Sequence, residues 1–97
     1  MYKANDTIKV GLEGLQRDIK VNYQDTSLER ALPWLQEEVD ELKAGVAKGD
    51  EDNIKEELAQ VFIWCISIAN ILGYSLSEIV QSEVKNHTKK YPKKRAI

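Results

Sequence analysis

Apolar residues return every three or four positions along this chain, the period of one helix face, and nowhere alternate long enough to suggest a strand. The period is cleanest over Leu28, Leu32, Leu35, Val39, Leu42 and Val46, and again over Ile54, Leu58, Val61, Cys65, Ile68 and Leu72. A weaker run, Ile8, Leu12, Leu15 and Ile19, is diluted by Gly11 and Gly14, each costing a helix about 1 kcal/mol relative to alanine. The pattern predicts an all-α chain of four helices, a four-helix bundle-type single domain over residues 1–97.

Local signals set the limits of these elements. The first helix is expected over Thr7 to Tyr23. The second opens at Thr26-Ser27-Leu28-Glu29, a capping-box pattern in which a hydroxyl and a glutamate satisfy first-turn amides, and runs to about Ala47 before Gly49. Pro33 lies inside it and is expected to delay the regular helix or to kink it. The third runs from Asp50, a good N-cap, to Gly73, and the fourth from Ser75-Leu76-Ser77-Glu78 toward Lys90, before Pro92. From Val61 onward the third helix is apolar off its seam too, at Phe62, Ile63, Trp64, Ile66, Ala69 and Ile71. A helix apolar all round is buried on more than one face, and a 97-residue chain has little to cover it with. A second copy is therefore expected, as a dimer or dimer of dimers with this helix in the interface.

Charge changes the picture locally. The formal net charge is only −2, but residues 37–57 hold nine of the sixteen acids against three lysines. Residues 85–97 hold Lys85, Lys89, Lys90, Lys93, Lys94 and Arg95 with no acid, so 91–97 reads as a basic C-terminal tail. A tail of this kind suits a polyanionic substrate; it equally suits mere solubility. Aromatic interleaving and a base-reading motif are lacking, which argues against nucleic acid as partner. The single Cys65 cannot form an internal disulfide, and its apolar setting predicts a buried thiol in a reducing compartment. The longest apolar run, Val61 to Leu72, is broken by Ser67 and Asn70 and is too short to span a bilayer. A cytoplasmic location is expected.

Two acidic clusters carry candidate chemistry: Glu37-Glu38-Val39-Asp40-Glu41 and Glu56-Glu57-Leu58-Ala59-Gln60. Glu38 and Glu41 share a helix face. If the second and third helices pack antiparallel across Lys48-Gly49-Asp50, Glu57 joins them. Three converging carboxylates repel one another unless a cation neutralises them, and hard oxygen ligands suit Mg²⁺ or Mn²⁺. A solvated acidic helix face explains either cluster alone equally well; two clusters flanking adjacent seams weigh toward the metal.

With these stretches on the page, the chain resembles the MazG-like, all-α nucleoside triphosphate pyrophosphohydrolases. Their pattern, E-E-x-x-E on one helix and E-E-L-x-D on the next, is matched by Glu37-Glu38-Val39-Asp40-Glu41 and Glu56-Glu57-Leu58-Ala59-Gln60. Trp64, the helix ending Ala69-Asn70-Ile71-Leu72-Gly73, the upstream Leu15-Gln16 and Tyr23, and the closing Lys90-Tyr91-Pro92 also fit, over about residues 12–92. The resemblance implies hydrolysis of (deoxy)nucleoside triphosphates to monophosphate and pyrophosphate, with nucleotide-pool house-cleaning as the role. It implies Mg²⁺, or Mn²⁺, on Glu38, Glu41, Glu57 and the residue at 60, with Glu41 or Glu57 as general base. Lys85, Asn86 and Lys90 become candidate phosphate-side groups, Trp34 a candidate to stack on the base, and Gln16 a candidate to read its edge. Two departures stand out. The family's last ligand is aspartate, where this chain has Gln60, and Lys85 and Asn86 do not keep the family's four-residue spacing. The alternatives are a catalytically weakened nucleotide-binding module, marked by Gln60, and a structural helical dimer.

Overall fold

A computed structural model describes residues 4–23 and 26–90, with side chains from residue 11 onward except at 88. These residues form α1 (Ala4–Asn22), α2 (Leu28–Lys48), α3 (Glu51–Leu72) and α4 (Leu76–Lys90), and no strand. The basic tail at 91–97, and with it Tyr91-Pro92, lies outside the described residues.

The ends of α3 and α4 fall where the capping chemistry puts them, whereas α1 begins at Ala4, three residues before the expected Thr7, and the cap of α2 shifts by one residue. Asp50 caps α3 by accepting from the Asn53 amide at 3.2 Å, and Ser75 accepts from the Glu78 amide at 3.5 Å. At α2 the N-cap is Ser27 rather than Thr26: Ser27 has the extended backbone, and its hydroxyl accepts from the Arg30 amide at 3.4 Å. With arginine three residues past the cap, the expected glutamate return bond does not form there. The helix starts at Leu28 and runs through Pro33. Gly49 and Gly73 close α2 and α3 at φ of 68° and 75°, the left-handed region in which a side chain is strained.

α2 and α3 form an antiparallel hairpin, and its register shows in three contacts. A Cβ on the buried Gly45 would stand 2.6 Å from Asn53 Nδ2, the carboxyls of Glu41 and Glu57 converge, and the Trp34 and Trp64 rings lie 5.0 Å apart. As one number falls along α2 the other rises along α3. A side chain at Gly45 would collide with the Asn53 amide group, so glycine leaves room there for Asn53.

The core of the single chain is small: Ile19 of α1, Ile66 and Ala69 of α3 and Leu76 of α4, with Ile63 packed against it. A polar clasp holds these three helices together. Gln16 Nε2 donates to Asn70 Oδ1 at 3.0 Å and to the Tyr74 carbonyl at 3.1 Å. Its Oε1 accepts from the Leu76 amide at 2.8 Å, and Asn70 Nδ2 donates back to the Gln16 carbonyl at 3.0 Å. The clasp satisfies backbone groups that the end of α3 and the start of α4 would otherwise leave unpaired.

The expected seam of α3 does not point into this core. Its buried residues are Glu57, Ile66, Ser67 and Ala69, whereas Leu58, Cys65 and Leu72 of the seam are exposed. The expectation of a buried Cys65 is thereby corrected for the single chain: Cys65 sits about 100° around the helix from Ile66, on a side left exposed among the described residues. Partial desolvation still pushes its thiol pKa up. Leu32 and Val46 of the α2 seam are exposed as well. Among the described residues no single helix is long and apolar enough to cross a membrane.

Candidate metal centre

The antiparallel register of α2 and α3 decides the site. Glu38 and Glu41 lie one turn apart on α2, and Glu57 faces them from α3. One carboxylate oxygen from each lies within 4.8 Å of the other two. Glu57 is 7% exposed, and its Oε2 is sealed from solvent with no hydrogen-bond partner. A carboxylate so placed is costly unless something positive reaches it.

Electrostatics point the same way. Two ionised carboxylates are both acceptors and can bond only by sharing a proton. The Glu57 carboxyl is held above its ordinary pKa, first by hydrogen-bonding contact with Glu38 and then by burial. The charges of Glu38 and Glu56 add to the rise, while contact with Glu41 opposes it. Glu41 is raised by hydrogen-bonding contact with Glu57 and by that group's charge, with smaller contributions from burial and Glu56. A raised pKa means that the folded chain binds protons the unfolded chain has released. The metal-free protein is therefore expected to be most stable below about pH 4.5 as far as these groups are concerned, and to lose that contribution as pH rises through their raised values. Thermal midpoints in chelator from pH 4.5 to 8 check this. Addition of Mg²⁺ or Mn²⁺ is expected to raise the midpoint more at pH 7.5 than at pH 5. Equal cation shifts at both pH values would argue against binding at these carboxylates.

The donor set fits a hard divalent cation. It offers three carboxylate oxygens in one place, one of them orphaned, on helices whose register is fixed. The surrounding cavity of about 430 Å³ is walled by Glu37 and Glu56 on the acidic side and by Trp34, Gln60 and Trp64 along the rest. Gln60 thus stands in the wall of the site, as its spacing on the helix implies, and brings no charge. Trp34 is 41% exposed and packs at a tilt on Trp64, which in turn meets Tyr23 at 6.2 Å.

The other expected site residues fall elsewhere. Gln16 is buried with both amide hydrogens committed inside the fold, a structural duty that its spacing along α1 does not reveal. Lys85, Asn86 and Lys90 are exposed on α4 and are not part of the carboxylate cavity of their own chain. Trp64 lines the cavity without having been assigned a site role from the sequence; its helical offset of four from Gln60 was the available signal.

The model of the MazG-like family matches residues 27–96, well over half of the chain. No curated protein and no solved structure matches it.

Proposed function

The chain belongs to the MazG-like family, and from that premise we propose that it is a divalent-cation-dependent nucleoside triphosphate pyrophosphohydrolase. The observation that carries the reading is the convergence of Glu38, Glu41 and Glu57 around an orphaned, buried Glu57 oxygen. These three would hold Mg²⁺ or Mn²⁺, with the Gln60 carbonyl oxygen as a weaker, neutral fourth ligand. When bound, the cation supplies Lewis-acid stabilisation of phosphate charge and makes a water more acidic.

The chain's own residues do the rest. Whichever of Glu41 and Glu57 is less committed to the cation accepts the proton of the attacking water. That water adds to the α-phosphorus, the bond to the β-phosphate oxygen breaks, and monophosphate and pyrophosphate leave. Trp34 and Trp64, packed at a tilt, form the apolar part of the cavity wall.

A second copy of the chain is part of the proposal. Leu58, Phe62, Cys65 and Leu72 form an apolar stripe on α3, with Leu58 at 57% and Phe62 at 46% exposure. The chain exposes 7648 Å², where a compact monomer of its 11.1 kDa mass exposes roughly 5,700 Å². A partner laid along this stripe would cover part of that excess, giving the homodimer.

The alternative of a weakened nucleotide-binding module draws on Gln60. The experiment is pyrophosphate and monophosphate release from a panel of NTPs and dNTPs with Mg²⁺ or Mn²⁺, with Gln60→Asp alongside. Turnover by the parent is expected, with tighter cation binding and faster release in Gln60→Asp. Turnover in the variant alone identifies a binding module that has lost catalysis, and silence in both overturns the enzymatic reading.

A further inference from the structure

The carboxylate cavity is lined by residues of α2 and α3, and the α1 segment meets its wall through the ring of Tyr23. That residue, one past the end of α1, packs on Trp64 at 6.2 Å between centroids. Trp64 thus stands in a row of three rings, between Tyr23 and Trp34, whose centroid lies 5.0 Å away. Where the Tyr23 ring stands depends on how α1 is held, and α1 is held by little. Among its described side chains only Gln16 and Ile19 are buried. Gly11 and Gly14 lower its stability as a helix.

Gln16, Ile19 and Tyr23 follow one another at steps of three and four, and so share a face. Their partners on α3 run backwards: Asn70 bonds Gln16, Ile66 shares the core with Ile19, and Trp64 meets Tyr23. The α1 segment therefore lies antiparallel on the last turns of α3, tied by the clasp at one end and touching the cavity wall at the other. Gln16 Nε2 spends both hydrogens in the clasp, Oε1 takes the Leu76 amide, and Asn70 Nδ2 returns a bond to the Gln16 carbonyl. A directional network of this kind admits one rotation and one register of α1. A lone isoleucine contact is non-directional and tolerates several.

We propose that Gln16 is a positioning residue: the clasp fixes α1 on α3 and, through Tyr23, holds the Trp64 ring in the wall of the carboxylate cavity. The kinetic consequence rests on that cavity being the substrate site. From Asn70 to Trp64 the helix rises about 9 Å, so Gln16 acts on the ring through the α1 segment. The carboxylates sit on the α2–α3 hairpin, apart from the clasp.

Two variants separate the ends of this relay. Gln16→Ala removes the three side-chain bonds of Gln16, and Tyr23→Leu removes the ring and leaves the clasp. Each is compared with the parent by circular dichroism well below its melting midpoint. Helicity is expected to persist in both. The long-wavelength tryptophan bands, where tyrosine does not absorb, require fixed ring packing and are expected to lose about half or more of their intensity. Mn²⁺ affinity by calorimetry is expected to stay within about twofold of the parent in both, since the cation ligands are undisturbed. KM for nucleoside triphosphate is expected to rise roughly three- to tenfold with kcat changed less, the pattern of a lost binding contact rather than lost chemistry.

If Gln16→Ala does not fold, Asn70→Asp takes its place. It keeps the acceptor for Gln16 Nε2 and loses the bond to the Gln16 carbonyl, and it is expected to show the same tryptophan change in smaller measure. Parent-like tryptophan bands in the folded clasp variant would overturn the positioning role. A change there that Tyr23→Leu does not reproduce would overturn the relay through Tyr23. Loss of Mn²⁺ affinity together with the bands would mark a general loosening of the fold and overturn the assignment too. A parent that releases no pyrophosphate overturns the enzymatic reading alone, and the tryptophan bands then decide the positioning by themselves.

Discussion

Glu57→Gln is expected to cut pyrophosphate release roughly a hundredfold or more while raising the thermal midpoint of the metal-free protein. The two effects have one origin. Glu57 is the buried member of the cluster, with one oxygen unpartnered and its pKa pushed up by Glu38 and by burial. Removal of its charge relieves the repulsion that the fold tolerates without a cation, and the same change replaces the innermost charged oxygen of the proposed cation site with a neutral amide. The variant should also lose most of the Mg²⁺- or Mn²⁺-induced rise in midpoint, which calorimetry or fluorescence melting reads without any turnover. A variant that is both inactive and less stable in chelator would mean that Glu57 supports the fold by some bond other than those described. Glu38→Gln and Glu41→Gln are expected to follow the same direction with a smaller gain in stability, because these side chains are more exposed.

Leu58→Arg combined with Phe62→Arg is expected to split the proposed dimer, weakening self-association by about 10²- to 10⁴-fold. That range follows from withdrawing two large side chains, each worth about 1.5–3 kcal/mol on full burial, from an interface. Both residues are about half exposed in the single chain, so the substitutions should leave the Ile19, Ile66, Ala69 and Leu76 core intact. Helicity by circular dichroism should persist while sedimentation velocity shows the monomer. A parent that sediments as a monomer over the whole accessible concentration range would sink the homodimer and leave the stripe to another partner. Full turnover by the monomeric variant would show that one chain holds a complete site.

The helices themselves were legible residue by residue. Asp50, Gly49, Gly73 and Ser75 are local signals, acting through capping bonds and left-handed backbone that involve only a few neighbouring residues, so α3 and α4 begin and end where their sequences say. The cap of α2 moved by one residue because two adjacent hydroxyls compete at Thr26 and Ser27 and only the backbone angles choose between them. The carboxylate site was legible as well, because a fixed spacing on each of two consecutive helices joined by two residues leaves little freedom in how their faces meet.

The sequence by itself determined four helices, the limits of α3 and α4, and which carboxylates could be neighbours, since all of these follow from periodicity and capping over a few residues; the start of α1 at Ala4 carries no such capping signal. Only the tertiary structure decided that Gln16 is consumed in a clasp, that Ser67 is buried without a partner, and that Leu58, Cys65 and Leu72 face outward. An apolar seam specifies that a face will be covered but not by what, and a polar residue on a helix carries no mark of which distant backbone group it will meet. Those outcomes depend on how α1 and α4 lie across α3, a matter of long-range packing that no local spacing encodes.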